Sequence, residues 1–192
     1  MRISMGEGRF GMKEETVETI YWTTLLDHDQ WNFYIGATDK GLCYIGSWNG
    51  SFNEMAAWAG KRFPGSTLVE DGNRLAPYAD EINEYLAGIR TSFTIPFDLR
   101  GTAFQQAVWK ALCDIPYGEK RSDSDIGESI MRPSAVRAVG TAIGANPLLM
   151  IVPCHRVIGK KGALTGYRGG MDMKTRLLEL EGQVIQGNPI HN

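Results

Sequence analysis

Little in this chain points to a membrane or to an oxidising compartment. No run of residues is apolar for long enough to span a bilayer, and residues 1–15 mix glycine with charge where a secretory signal would place an apolar stretch. A cytoplasmic protein that keeps clear of membranes is expected. Cysteine is scarce as well: Cys43, Cys113 and Cys154 are odd in number and widely spaced, and no Cys-x-x-Cys pair occurs. That pattern argues against a disulfide framework. Three cysteines and three histidines at such spacing do not suit a four-ligand zinc site either, so no metal or other cofactor is expected.

A strong excess of either charge is also missing. The formal net charge of −2 divides unevenly, with 9 Lys+Arg against 14 Asp+Glu through Arg100 and 11 against 8 from Gly101 onward. Only the second half could meet a polyanion, and so small a basic excess by itself usually means a solvated face. What the chain does have is 43% hydrophobic content in 192 residues, enough for one large core or two small ones.

The first half reads as a mixture of strands and helices. Residues 18–26, 31–37 and 41–48 are rich in aromatic and β-branched types and are separated by Asp27-His28-Asp29 and Asp39-Lys40-Gly41 turn signals, which predicts an antiparallel meander. His28 in its turn is expected to face solvent. A helix is predicted over 52–63, capped by Ser51 and ended by Pro64-Gly65, then a short strand over 66–70. A second amphipathic helix is predicted over 75–86, with Leu75, Tyr78, Ala79, Ile82, Tyr85 and Leu86 on one side and Gly88 past its end. An extended segment over 92–97 completes this half.

From Phe97 the pattern turns helical, so 97–102 is the candidate linker. Thr102 can cap a helix over 103–113, with Phe104, Ala107, Val108 and Ala111 as its buried stripe. Ser122 with Asp125 three residues on suits the start of a short helix, and Pro133-Ser134 start another that runs to about Gly144. Two short helices joined by a tight turn read as a helix-turn-helix. The second offers Ala135, Val136, Ala138, Val139 and Ile143 but almost no side chain able to read major-groove edges, so sequence-specific recognition is not expected. Small residues permit close approach to a groove floor, and the protruding Arg137 could wedge into a base stack. The resulting expectation is an α+β chain: an N-terminal antiparallel sheet with helices over 1–96, a mostly helical, DNA-binding domain over 97–182, and a tail over 183–192.

Chemistry concentrates in Asn146-Pro147-Leu148-Leu149-Met150-Ile151-Val152-Pro153-Cys154-His155-Arg156-Val157. Five consecutive apolar residues read as a buried strand or a buried connection, and a proline then stops ladder pairing just before a thiol, an imidazole and a guanidinium. A single cysteine after an apolar run is usually a small buried hydrophobe. Beside His155 and Arg156, whose charge would favour a thiolate, Cys154 becomes a candidate nucleophile. Neighbours on an extended strand point to opposite faces, so Cys154 and His155 can cooperate only if the backbone turns or a water bridges them.

Ile115-Pro116-Tyr117-Gly118-Glu119, Arg137-Ala138-Val139-Gly140, Ala145-Asn146-Pro147, Ile151-Val152-Pro153-Cys154-His155-Arg156-Val157-Ile158-Gly159, Leu164-Thr165-Gly166-Tyr167 and Gly169-Gly170 resemble the O6-alkylguanine-DNA alkyltransferase family, the methylated-DNA–protein-cysteine methyltransferases, in unbroken order from Phe97 to Gly182. The first half resembles that family's ribonuclease-H-like domain in its order of elements, and the second half its winged-helix-like helix-turn-helix domain. The resemblance implies direct, irreversible, single-turnover transfer of an alkyl group from O6-alkylguanine, and in some members O4-alkylthymine, to the protein's own cysteine. The implied partner is double-stranded DNA entered through the minor groove by a monomer. Cys154 would accept the alkyl group, His155 would deprotonate it through a water, Glu181 would orient His155, and Asn146 would sit at the hinge before the active-site segment. Ser122, Asp123, Ala135, Arg137 and Ala138 fall at DNA-binding positions, with Arg137 filling the place of the flipped nucleotide. Ile143, Val157, Tyr167 and Arg168 fall around the base, under a lid in which Tyr167 would hydrogen-bond a ring nitrogen. The chain departs from the family at Ser122-Asp123-Ser124, where a tyrosine usually follows the serine and helps turn the nucleotide out. Two other functions compete: an alkyltransferase-like damage-binding protein with weak or no transfer because of Asp123, although such proteins usually lack the cysteine, and a cysteine hydrolase using Cys154, His155 and Glu181.

Overall fold

The structure, a computed structural model, describes residues 17–26, 31–159 and 162–186; the turn read around His28 lies outside them. The N-terminal strands are β1 (Thr19–Leu26), β2 (Asn32–Thr38) and β3 (Gly41–Ile45), followed by helix α1 (Phe52–Arg62), β4 (Thr67–Glu70) and helix α2 (Gly72–Leu86). The strands form one sheet in the order β3-β2-β1-β4. The predicted antiparallel meander is present in β1 to β3, but β4 pairs with β1 in parallel, so the sheet is mixed rather than purely antiparallel. Parallel pairing follows from the connection: α1 carries the chain back along one face before β4 begins, as a crossover must.

Both faces of the sheet are covered. On one, Ile20, Cys43 and Tyr44 pack against Met55, Ala59 and Phe63 from α1 and the residue that ends it. On the other, Phe33, Ile35, Ala37, Leu42 and Ile45 join Leu75, Ile82 and Tyr85 of α2 and continue without a break into the second half of the chain. Helix α2 starts a turn earlier than its apolar stripe suggests, because Asp71 accepts from the Arg74 amide at 2.9 Å and closes the first turn.

The second half carries α3 (Ala103–Cys113), α4 (Asp123–Ser129), α5 (Val136–Gly144) and α6 (Met171–Ile185), with a short parallel pair β5 (Arg121–Ser122) and β6 (Val157–Ile158). Thr102 caps α3 and Ser122 caps α4, each in a reciprocal box with the residue three positions on. The buried side of α3 is Val108, Trp109 and Leu112; Ala107, expected inside, is exposed. Trp109 takes over that stripe because its indole fills the space beneath α5 and donates to the Ala142 carbonyl at 2.8 Å. Met173, Leu177 and Leu180 recur at helical spacing along α6, which continues past Gly182 to Ile185.

The segment read as a linker is fastened to the sheet. Leu42 donates to the Pro96 carbonyl at 3.0 Å, Asp98 donates to the Leu42 carbonyl at 2.8 Å, and Arg100 pairs with Asp98 and Glu18. Only Phe97 of the extended segment before it makes a bridge, with Leu42. Gly41, at φ +145, allows this approach: a Cβ there would lie 2.5 Å from the carbonyl group of Pro96. Farther along the same edge, Ile45 donates to the Pro147 carbonyl at 2.9 Å. The edge strand β3 thereby anchors both the connection between the halves and the start of the reactive segment.

Candidate active site

The apolar run 147–153 is the buried connection, not the strand. Its backbone coils through turns, with Met150 at φ 70, and only Leu148 makes a bridge, to Ile45. The fully buried Asn146 organises the coil: its Oδ1 accepts from Leu148 N at 2.9 Å, while its Nδ2 donates to the Val152 carbonyl at 2.8 Å and to Cys154 Sγ at 3.0 Å. One amide side chain therefore fixes the turn and the thiol together. Cys154, His155 and Arg156 then form a single turn of 3-10 helix, so the backbone does turn where cooperation between the thiol and the imidazole requires it.

His155, Arg156 and Glu181 are all buried and bonded to one another. Glu181 Oε1 accepts from His155 Nε2 at 2.8 Å and Arg156 Nη2 at 2.8 Å, and its Oε2 accepts from the Gly118 amide at 2.9 Å. Burial pushes the Glu181 carboxyl up, but the hydrogen bonds and charges of His155 and Arg156 outweigh it and hold the group at about 2. An ionised carboxylate only accepts, so His155 must present Nε2–H to it, and the lone pair of the neutral ring lies on Nδ1. His155 Nδ1 is buried with no hydrogen-bond partner among the described residues. Burial lowers the His155 pKa while Glu181 resists the shift, which keeps the ring neutral and basic at physiological pH.

Arg156 does not activate the thiol as its neighbouring position suggested. Its guanidinium turns away to Glu181 and to the Ile115 carbonyl at 2.7 Å, over the ring of Tyr117. The Ile115-Pro116-Tyr117-Gly118 turn is thus the far wall of the Glu181 site. Burial pushes the Cys154 thiol up, and the groups that pull it back are the Asn146 amide, Arg168 and Lys174. The resting thiol is protonated, and a base has to act on it.

Cys154 opens on a cavity of about 340 Å³ whose wall includes Asp123, Ile143, Val157, Thr165 and Gly166. Buried Lys174 closes one side by donating to the Val157 carbonyl at 2.5 Å and the Thr165 carbonyl at 3.0 Å. The phenol oxygen of Tyr167, on the segment beside the cavity, is buried without a partner among the described residues. Arg168 points elsewhere: its guanidinium donates to the carbonyls of Asn146 at 2.8 Å and Ile45 at 2.6 Å and pairs with Glu54 at 3.1 Å. Any contact of Arg168 with a substrate falls to its backbone. Helix α5 exposes Arg137, Ala138, Thr141 and Gly144 on one face, with Ala135 half-buried at its start, while Val139 and Ala142 face the core. Ser122 caps α4 at the cavity's other side.

Two groups escaped the sequence reading. Tyr85 was placed on the apolar side of α2, yet its phenol donates to Glu181 Oε1 at 2.7 Å and lies 3.3 Å from His155 Nε2. Lys174 sits on the buried side of α6 with its ammonium acting on both Cys154 and Asp123. The signal for each was a polar tip on a buried stripe, which demands a partner.

A buried thiol, a neutral histidine oriented by a carboxylate, and a small-residue helix on a helix-turn-helix beside them are the arrangement of a candidate cysteine nucleophile on a helix-turn-helix domain. Residues 20–99 match the model of the 6-O-methylguanine DNA methyltransferase ribonuclease-like domain, and residues 103–183 match the model of the DNA binding domain of the same family. The chain is 60% identical over 168 residues to the inducible methylated-DNA–protein-cysteine methyltransferase of Bacillus subtilis, covering 88% of this chain and 93% of that one. It superposes on Mycobacterium tuberculosis OGT, solved in complex with DNA, with a TM-score of 0.73 and 40% identity over 85% of this chain and 94% of that one. The O6-methylguanine-DNA methyltransferase of Pyrococcus kodakaraensis shares the fold, at a TM-score of 0.64 and 22% identity over 85% of this chain and 99% of that one. This chain belongs to the 6-O-methylguanine DNA methyltransferase family.

Proposed function

We propose that the protein repairs DNA by moving the alkyl group of an O6-alkylguanine onto Cys154, once per molecule. The observation that carries this reading is the buried thiol, clasped by Asn146 and open to a cavity beside an exposed, small-residue helix. A paired guanine cannot bring its O6 substituent to a sulfur so placed, so the nucleotide leaves the stack first. Helix α5 enters the minor groove, where Ala135 and Ala138 allow close approach and Arg137 takes the vacated place. Ser122 at the cap of α4 and the adjacent backbone meet the phosphates.

In the reaction, the Cys154 proton passes through a bridging water to His155 Nδ1, whose Nε2–H stays on Glu181. The sulfur forms a bond to the alkyl carbon as the carbon–O6 bond breaks and its electron pair passes to the guanine oxygen. The Tyr167 phenol donates to the ring nitrogen and supports the charge that develops there. Ile143 and Val157 hold the base edge-on, and the Arg168 backbone closes the lid. The thioether has no good leaving group, so the chain is consumed. It acts as a monomer in the cytoplasm and needs no cofactor. Incubation with duplex DNA containing O6-methylguanine, read by intact mass, tests this: one methyl per chain, absent in Cys154→Ala, is the expected result. Sustained turnover, or binding with no mass change, rejects it in favour of hydrolysis or damage sensing.

A further inference from the structure

The cavity in front of Cys154 has one charged side chain in its wall among the described residues, Asp123. It occupies the first position of α4, half-buried, yet it plays no part in the cap, which Ser122 and Asp125 close by themselves. Its carboxyl is held above the usual range by burial, and the Lys174 ammonium draws it back. A half-buried acidic side chain in the wall of a reaction cavity, outside the helix cap, acts on what enters. Elsewhere in the wall, Gly140, Gly144 and Gly166 supply no side-chain donor and Thr165 offers only a neutral hydroxyl, so among the described residues no cation lines the cavity opposite it.

We infer that Asp123 sorts alkyl adducts by charge, admitting neutral groups to Cys154 and excluding those that carry a carboxylate. The inference rests on the alkyl-transfer reading above. Two like charges roughly 6 Å apart at an effective dielectric of about 20 repel strongly enough to slow a step by on the order of a hundredfold. An O6-carboxymethyl group would bring its carboxylate into the same small volume, and the product thioether would keep it there. The balance of the step is unchanged: sulfur bonds to the methylene carbon, the carbon–O6 pair passes to guanine, and the thiol proton goes to His155. Lys174, whose ammonium is held by the Val157 and Thr165 carbonyls on one side of the cavity, offsets part of this repulsion, and it stays in place in every Asp123 variant.

Two adducts of equal size separate charge from bulk: O6-carbamoylmethylguanine, neutral, and O6-carboxymethylguanine, anionic. Single-turnover transfer from each, in otherwise identical duplexes at matched salt, is measured for the full-length protein and for Asp123→Asn and Asp123→Glu. Repulsion between Asp123 and DNA phosphate is common to both duplexes and divides out of the ratio of rates. The neutral-to-anionic ratio should fall at least tenfold in Asp123→Asn and persist in Asp123→Glu. A ratio that stays within twofold in Asp123→Asn overturns the charge filter, and so does an Asp123→Glu ratio that matches Asp123→Asn. Failure of the alkyl-transfer reading looks different, because then no variant, nor the unmodified protein, transfers a methyl group from O6-methylguanine.

Discussion

Tyr85 and Glu181 meet across the two halves of the molecule, the phenol of α2 donating to the carboxylate of α6 at 2.7 Å. The N-terminal domain thereby supplies a hydrogen bond directly behind the imidazole. Together with the Arg168 pairing to Glu54 and the Ile45 carbonyl, it ties the sheet to the back of the site and to the segment beside the cavity. The sheet is a support for the chemistry as well as a neighbour of it.

Removing that phenol should show in the pH dependence of transfer. In Tyr85→Phe the Glu181 charge is shared with one donor fewer, so it attracts the imidazolium form of His155 more strongly and raises the His155 pKa. The acidic limb of the single-turnover rate should move to higher pH, with a several-fold loss at pH 6 and a smaller one at pH 8. A cost of about 1–3 kcal/mol in stability accompanies the lost bond. Rate profiles of the two proteins that superimpose would make Tyr85 a packing residue only.

Acid should destabilise the fold in a defined window. Glu181 is depressed to about 2 from the 4.5 of a free side chain, so it contributes stability that is complete above the unfolded value and lost as pH falls from about 4.5 towards 2. With side-chain exposure of 1% the contribution is not much screened, and its ceiling is on the order of 3 kcal/mol. His155 acts in the same direction, because its folded pKa lies below 6.5 and stability declines as pH drops through that range. Urea midpoints at pH 7, 5 and 3 should fall in turn. Glu181→Gln should be weaker at pH 7, through the unpaired Arg156, and should lose less than the unmodified protein between pH 4.5 and 3, the remaining loss coming from Glu81 and Asp98, which are also held below their usual values.

General thiol reagents should miss the reactive cysteine. Burial pushes all three thiols up, but Cys113 is exposed while Cys43 and Cys154 are buried, Cys43 also donating to the Gly36 carbonyl at 3.4 Å. Iodoacetamide at pH 8 should label Cys113 at least tenfold faster than Cys154 in the folded protein. Peptide mapping after O6-methylguanine should find methyl on Cys154 alone. Rapid labelling of Cys154 would mean that its thiol is accessible and ionised before any substrate arrives, against the buried, protonated state described above.

Arg137 stands exposed on α5 and makes no hydrogen bond through its guanidinium among the described residues, as the role proposed for it in the base stack requires. Arg137→Ala should slow repair of duplex DNA at least tenfold and leave reaction with free O6-benzylguanine within about threefold, because a free base needs no flipping. Loss of one phosphate contact would change the logarithmic salt slope by only ~0.9. Equal losses on both substrates would assign Arg137 a structural role instead.

Local signals carried much of the fold. Thr102 and Ser122 announce the starts of α3 and α4 because a capping hydroxyl acts on amides three residues away, and β1 to β3 follow from residue types bounded by turns. The Pro-Cys-His-Arg run likewise marks a candidate reactive centre from neighbours in sequence. The sequence by itself did not decide whether 147–153 is a strand or a coil, since a segment buried on all sides shows no periodicity; Asn146, bonding to Leu148, Val152 and Cys154, settles that only in three dimensions. Nor did it reveal that Arg156 serves Glu181 rather than the thiol, that Tyr85 reaches a carboxylate 96 residues away, or that Asp123 stands in the wall of the Cys154 cavity. Caps, turns and nucleophile motifs are short-range and can be read along the chain. The direction of a guanidinium and the protonation of a thiol depend on which charges and carbonyls the packed core brings within a few ångströms, and that is decided by the tertiary structure alone.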